Sequence, residues 1–178
     1  GDESGTLIPY LDNPKTGPTW DKYYLSTCHG PVGTTLVFRM LYELTGEQEY
    51  LDWIKRLARG IIRAGAPEKN SWGYWASNCQ CCGAPGVLEH FVSVYELTGE
   101  EEFLEYAKRT ADVLVGDSQL LDGKRRWMSA WNRPTPEVVK SFTGFYVGSA
   151  GGSSSLLKPY SALENKPFTD IFEYIYFD

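Results

Sequence analysis

Long apolar runs are missing from this sequence. Runs such as Leu36-Val37-Phe38 and Val113-Leu114-Val115 fall far short of the ~20 apolar residues that a membrane-spanning helix needs. A basic excess is missing too. Seventeen Lys and Arg face 23 Asp and Glu, for a net charge of −6. The one tight basic cluster is Lys124-Arg125-Arg126, so no stripe of cations exists to follow a nucleic-acid backbone. Compositional bias is absent: 42% hydrophobic and 22% charged residues exclude disorder or a collagen-like repeat as the main state. Histidine is scarce, at two residues, and cysteine stops at four. Three of those four, Cys79, Cys81 and Cys82, crowd into one short stretch. That layout is awkward for a disulfide scaffold and better suited to a metal site or free thiols. The sequence opens on Gly1 rather than Met, so a processed form or a fragment is expected, with any signal peptide out of view. The compartment stays open: cytoplasmic, or periplasmic or secreted if a signal peptide was removed.

What the chain does have is an internal repeat. Residues 28–58 (CHGPVGTTLVFRMLYELTGEQEYLDWIKRLA) align without gaps on residues 81–111 (CCGAPGVLEHFVSVYELTGEEEFLEYAKRTA). Fifteen of the 31 paired positions are identical, including Cys28/Cys81, Gly30/Gly83 and Gly33/Gly86. A weaker third copy starts at Gly148, keeps the G-x-x-G spacing through Gly151, and has no cysteine. Each copy reads as a helical hairpin. The first helix should follow the second glycine, with Leu36, Val37, Met40, Leu41 and Leu44 on one face, and should stop at Thr45-Gly46. The second should begin near Glu47, with acids in its first turn and Lys55, Arg56 and Arg59 later. Its stripe is Tyr50, Leu51, Ile54, Leu57, Ala58, Ile61 and Ile62, leaving one wet face. The first helix is apolar over more of its circumference and should be the more buried of the two.

Residues 63–78 and 116–143 read as long loops, residues 1–27 as an irregular arm, and residues 167–177 as a short helix or a strand. The expected fold is all-α, a single domain over 1–178 with hairpins starting near 28, 81 and 148. Such inner and outer helix pairs stack into a solenoid or close into an α/α toroid. A closed ring takes about six or seven hairpins at this period. Three hairpins make half a ring, so the expectation is a fragment, or a chain completed by a second copy or by a missing N-terminal half.

Cys28 and Cys81 hold equivalent places just before inner helices, and Cys82 adjoins Cys81. Three thiolates from two loops can hold one Zn²⁺ and leave a fourth position open. The alternatives are buried free thiols or a disulfide from Cys28 to one of the other three. Cys79 is a leftover thiol or a fourth ligand. His29 reads as a general acid or a substrate-positioning group, and His90 as a satisfied core or groove histidine. Asn78, Trp72, Trp75 and Tyr146 precede inner helices and can line the cavity, and Arg133 can meet an anion there. The glycines do not read as a phosphate loop, because no Lys-Ser/Thr follows them and no strand precedes them.

Cys28-His29-Gly30-x-x-Gly33, Cys81-Cys82-Gly83-Ala84-Pro85-Gly86 and Gly144-Phe145-Tyr146-Val147-Gly148-Ser149-Ala150-Gly151 resemble the last three inner-helix motifs of the lanthionine synthetase C-like (LanC-like) family. The resemblance covers about residues 25–163. It implies an α/α toroid with a central zinc on Cys28, Cys81 and Cys82. It also implies activation of a peptide cysteine, whose thiolate adds to a dehydroalanine or dehydrobutyrine to form a thioether, with a nearby acid protonating the enolate. His29 and Tyr146 are the candidate catalytic residues. The implied partner is a peptide or small-molecule substrate, with neither nucleic acid nor a membrane span. Thr27 stands where the family often has Trp. Two other classes fit the pattern. One is a carbohydrate-active α/α toroid of glycoside hydrolase type with a cysteine-rich zinc site. Such an enzyme needs a Glu close before its first Cys, where this chain has Leu25-Ser26-Thr27. The other is a non-catalytic half-toroid that binds a peptide or protein.

Overall fold

The computed structural model describes residues 4–9, 23–69, 77–129 and 137–163. Trp72, Trp75, Arg133 and the 167–177 segment lie outside the described residues. The described part is mostly helical. Its elements are α1 (Pro31–Thr45), α2 (Gln48–Arg63), α3 (Ala84–Thr98), α4 (Glu101–Gly116), β1 (Gln119–Leu121), β2 (Lys124–Arg126) and α5 (Ser149–Leu163).

Both hairpins turn by the same device. Gly46 and Gly99 take the left-handed conformation, with φ of 71° and 67°, which an L side chain resists and glycine accepts. Their N–H groups reach back to the carbonyls of Tyr42 and Tyr95, each at 2.7 Å. Thr45 and Thr98 hydroxyls donate to the carbonyls of Leu41 and Val94 and accept from the N–H groups of Glu47 and Glu100. The sequence Leu-Thr-Gly-Glu therefore closes each hairpin by its own local bonds.

The helices start earlier than the glycine spacing suggested. Gly30 is the N-cap of α1, Pro31 is its first residue and Gly33 lies inside the first turn. Proline fits there because a first-turn N–H has no partner within the helix and the ring presets φ. Pro85 repeats this in α3.

The α2 stripe points inward as its spacing predicts: Leu51, Ile54, Leu57, Ala58 and Ile61 are buried. Gly60 interrupts that helix for a packing reason. The arm lies against it, with the Thr6 N–H bonded to Arg56 O at 2.9 Å, and a Cβ on Gly60 would overlap the Thr6 carbonyl. One core runs through the hairpins, with Leu25, Ile54, Ala58, Val87, Phe91, Val94, Phe103 and Leu114 among its members. Between α2 and the α3–α4 turn, Arg59 reaches Glu100 and Glu102 at 2.6 and 3.1 Å.

Two expectations are corrected. The 116–143 loop contains a small antiparallel ribbon, with Gln119 opposite Arg126 and Leu121 opposite Lys124. Its two-residue turn is Asp122-Gly123, both at positive φ (51° and 71°), the turn whose twist matches the strands it joins. The larger correction concerns α1. Its apolar face is not buried: Leu36, Val37, Met40 and Leu44 are 50%, 58%, 48% and 80% exposed. The expected burial is met in α3 alone, where Ala84 through Val92 and Val94 are buried. The reason is position. The inner helix α3 packs against both α1 and α5, whereas among the described residues α1 packs mainly on α2 and, more lightly, on α3. Residues seven beyond each capping glycine make the point. His90 and Ser155 are buried, and Val37 is open.

Candidate metal centre

Each inner helix is preceded by a loop folded back over its first turn. In α1 the two glycines of G-x-x-G lie on the carbonyls of Tyr24 and Thr27, in α3 on those of Ser77 and Gln80, and in α5 on those of Phe142 and Phe145. A Cβ at any of the six would come within 3.0 Å of backbone oxygen. The motif is therefore a seat for a loop, which explains its recurrence in a copy without cysteine. The loops also bond to one another in sequence. The Cys28 N–H donates to Cys81 O at 3.2 Å, and the Cys81 N–H donates to Tyr146 O at 3.0 Å. Cys28, Cys81 and Tyr146 are thus equivalent members of three stacked loops.

This stacking brings together the sulfurs of Cys28, Cys81 and Cys82. Cys28 Sγ lies 3.2 Å from Cys82 Sγ, and Cys82 Sγ lies 3.4 Å from Cys81 Sγ. All three lie within 4.8 Å of one another. Each cysteine is a free thiol, and these separations are well beyond a disulfide bond. Four ligands around an ion at about 2.3 Å place neighbouring sulfurs about 3.8 Å apart, so the trio needs only small side-chain shifts to hold a metal ion. Soft thiolates select Zn²⁺, Cu⁺ or iron over Mg²⁺ or Ca²⁺. Cys28 is exposed, Cys81 half-buried and Cys82 buried, so the cluster is closed on the protein side and open at Cys28.

The thiols share protons. The Cys82 thiol beside Cys28 pulls the Cys28 pKa down to about 5, helped by the Ser26 hydroxyl at 3.7 Å. Cys82 moves the other way, raised by its contact with the Cys28 thiol first, then by Cys79 and by burial. Burial raises Cys81. Within the cluster, Cys28 is thus the thiol whose ionisation its neighbours favour most.

Cys79 stands outside the trio. It is fully buried, its sulfur accepts the Cys82 N–H at 3.4 Å and touches the Ser77 hydroxyl at 3.2 Å, and the Cys82 thiol lowers its pKa to about 6. These contacts tie it to the turn that carries Cys81 and Cys82. His29 is exposed beside Cys28, its ring tilted 5.9 Å from the buried Tyr24 ring. Tyr146 is exposed, edge-on to Phe145, and adjoins the centre through its carbonyl. Asn78 is half-buried in the α3 loop. His90 is a core histidine: it is buried, and its Nε2 has no hydrogen-bond partner among the described residues. Burial lowers its pKa to about 4.

Sequence reasoning missed a polar cluster immediately behind the cysteines. Gln80, Glu89, Ser155 and Lys158 are all buried. The Ser155 hydroxyl lies 2.7 Å from Gln80 Oε1 and 2.9 Å from Glu89 Oε1, and Lys158 Nζ lies 3.1 Å from Glu89 Oε2. The available signal was a pair of opposite charges near the middle of two inner helices, Glu89 in α3 and Lys158 in α5. No protein-family model matches the chain, and no curated protein matches it either.

Proposed function

We propose that the chain is a LanC-like zinc protein whose Cys28, Cys81 and Cys82 hold Zn²⁺ and whose chemistry is addition of a peptide thiol to a dehydroamino acid. The single observation that carries this reading is the convergence of three free sulfurs from two neighbouring loops, with the Cys28 side open to solvent. Bound zinc supplies acidity to a fourth, incoming thiol, which then exists as the nucleophilic thiolate near neutral pH. Cys82, buried, and Cys81, half-buried, would hold the ion from the protein side. His29, exposed beside Cys28, and Tyr146, exposed on the adjoining loop, flank the open side where a substrate would approach. In the reaction the substrate sulfur bonds to the β-carbon of dehydroalanine, the double-bond electrons move to the carbonyl as an enolate, and His29 or Tyr146 delivers a proton to the α-carbon.

The α/α toroid belongs to the same proposal. Three inner helix starts lie side by side, and α1 exposes the face on which a preceding inner helix would pack. A second copy of the chain, or further hairpins N-terminal to it, would cover Leu36, Val37 and Met40. The ring is then completed around the open side of the cysteines.

Metal analysis of the reduced chain tests the first step. One Zn²⁺ per chain is expected, lost in Cys28→Ala at unchanged helical content. Affinity should fall with acid across the neutral range, because Cys81 and Cys82 must lose protons to bind, and more steeply below about 5, where Cys28 is protonated as well. A wild-type chain that purifies and reconstitutes without metal removes the proposal. The reaction is tested by mixing the zinc-loaded protein with a thiol and a dehydroalanine peptide, beside an aryl glycoside. Thioether product is expected, and turnover of the glycoside alone would move the protein to the carbohydrate-active class.

A further inference from the structure

We infer that Ser155, on the repeat that has no cysteine, is a positioning residue for the metal-binding thiols and acts through Gln80. The inference rests on reading the three sulfurs as a metal site. Gln80 lies between Cys79 and Cys81 in the loop that supplies two of the three ligands. It is 2% exposed and is pinned from two directions. Its main-chain carbonyl accepts the Thr27 hydroxyl at 3.3 Å, tying it to the Cys28 loop. Its side chain turns to α5, where it meets the Ser155 hydroxyl at 2.7 Å. It also lies against Gly151, where a Cβ would come 3.1 Å from Gln80 Cβ.

Ser155 is itself fixed. It is fully buried, and its oxygen lies 2.9 Å from Glu89 Oε1 and 3.0 Å from Gly151 O as well. A hydroxyl carries one proton and donates to one acceptor at a time, so the Gln80 amide meets the Ser155 oxygen best with its N–H turned toward it, and a single truncation removes the point where the three groups meet. Lys158, three residues further along the same face, holds the other oxygen of Glu89 at 3.1 Å. Both side chains of that pair are 10% exposed. Burying either charge alone is expensive, so the pair demands one relative placement of α3 and α5. That placement sets Ser155 over Gln80. The same repeat also holds Cys81 directly, through its N–H bond to Tyr146 O at 3.0 Å.

The repeat comparison shows where this latch was placed. The position seven beyond the capping glycine is Val37 in the first copy, His90 in the second and Ser155 in the third. In the third copy that residue meets α3 at Glu89 and the loop before α3 at Gln80. The third copy alone offers a hydroxyl, and the helix before it follows the loop that carries both Cys81 and Cys82. A third repeat that contributes no ligand thus governs the ligand geometry. Groups that orient metal ligands in this way typically carry about 10–100-fold in metal affinity.

The test uses the reduced full chain titrated with Co²⁺, then Zn²⁺ against a chromophoric chelator. Ser155→Ala should weaken both metals by about 10–100-fold and alter the Co²⁺ d–d envelope, with far-ultraviolet circular dichroism unchanged. Ser155→Thr, which keeps the hydroxyl, should recover much of the loss. Leu157→Ala, on the exposed side of α5, should bind as wild type does. Gln80→Met carries the test if Ser155→Ala does not fold. Affinities within about twofold of wild type in Ser155→Ala and Gln80→Met overturn the positioning role and leave the zinc reading intact. A wild-type chain that binds neither metal overturns both.

Discussion

α1 and α3 are close sequence copies placed in different surroundings. Both begin at a loop seated on two glycines, carry a proline in the first turn and end at a left-handed glycine. Their local geometry is the same, yet α3 is buried along nearly its whole length while α1 leaves Leu36, Val37, Met40 and Leu44 open. The difference lies in neighbours: among the described residues α3 packs against two inner helices and α1 against one. Helix formation is thus a property of the repeat, and burial is a property of the repeat's place in the stack.

Several substitutions can break that comparison. The largest effect is expected from Phe91→Ala. Phe91 is fully buried in α3, and its loss should cost about 3–5 kcal/mol in urea denaturation. Its counterpart Phe38 is partly buried, stacked on Trp53 at 5.7 Å. Phe38→Ala should cost less than half as much, and equal costs would show that α1 is as well packed as α3.

Acid should reveal the next largest difference. His90 is neutral in the fold, with its pKa lowered from 6.5 to about 4 by burial. The unfolded chain binds the proton more readily, so stability from this residue is complete above about 6.5 and is lost as pH falls toward 4. The gap corresponds to about 3 kcal/mol. His90→Leu should flatten the denaturation midpoint over that range. The counterpart Val37 carries no titrating group, so Val37→Leu should leave the pH profile as it is. The smallest effect is expected from Leu44→Ala. At 80% exposure, the change should stay within about 0.5 kcal/mol. Val37→Lys should be equally mild for folding, and sedimentation should show its consequence only in association, through a face that further hairpins or a second copy would cover. A large loss of folding stability in Val37→Lys would mean that this face is already packed within one chain.

Legibility in the sequence followed the range of the interactions. The turns at Thr45-Gly46 and Thr98-Gly99 were readable because each closes on bonds within its own segment. The α2 stripe was readable because one periodic face met one core. The cysteine trio was legible because the repeat put Cys28 and Cys81 in equivalent places. The Asp122-Gly123 ribbon was equally local and was passed over, because three-residue strands carry almost no periodic signal. The Gln80–Ser155–Glu89–Lys158 cluster was out of reach, since its bonded pairs are separated by up to 75 residues and none belongs to a motif.

The sequence by itself determined the helices, their ends and the recurrence of the thiol-bearing loop, because these depend on backbone conformation and on residues a few positions apart. Only the tertiary structure decided which copy is enclosed, how close the sulfurs come, and that a buried ion pair between α3 and α5 stands behind them. Those outcomes depend on which surfaces exclude water from one another. A chain read residue by residue does not carry that information.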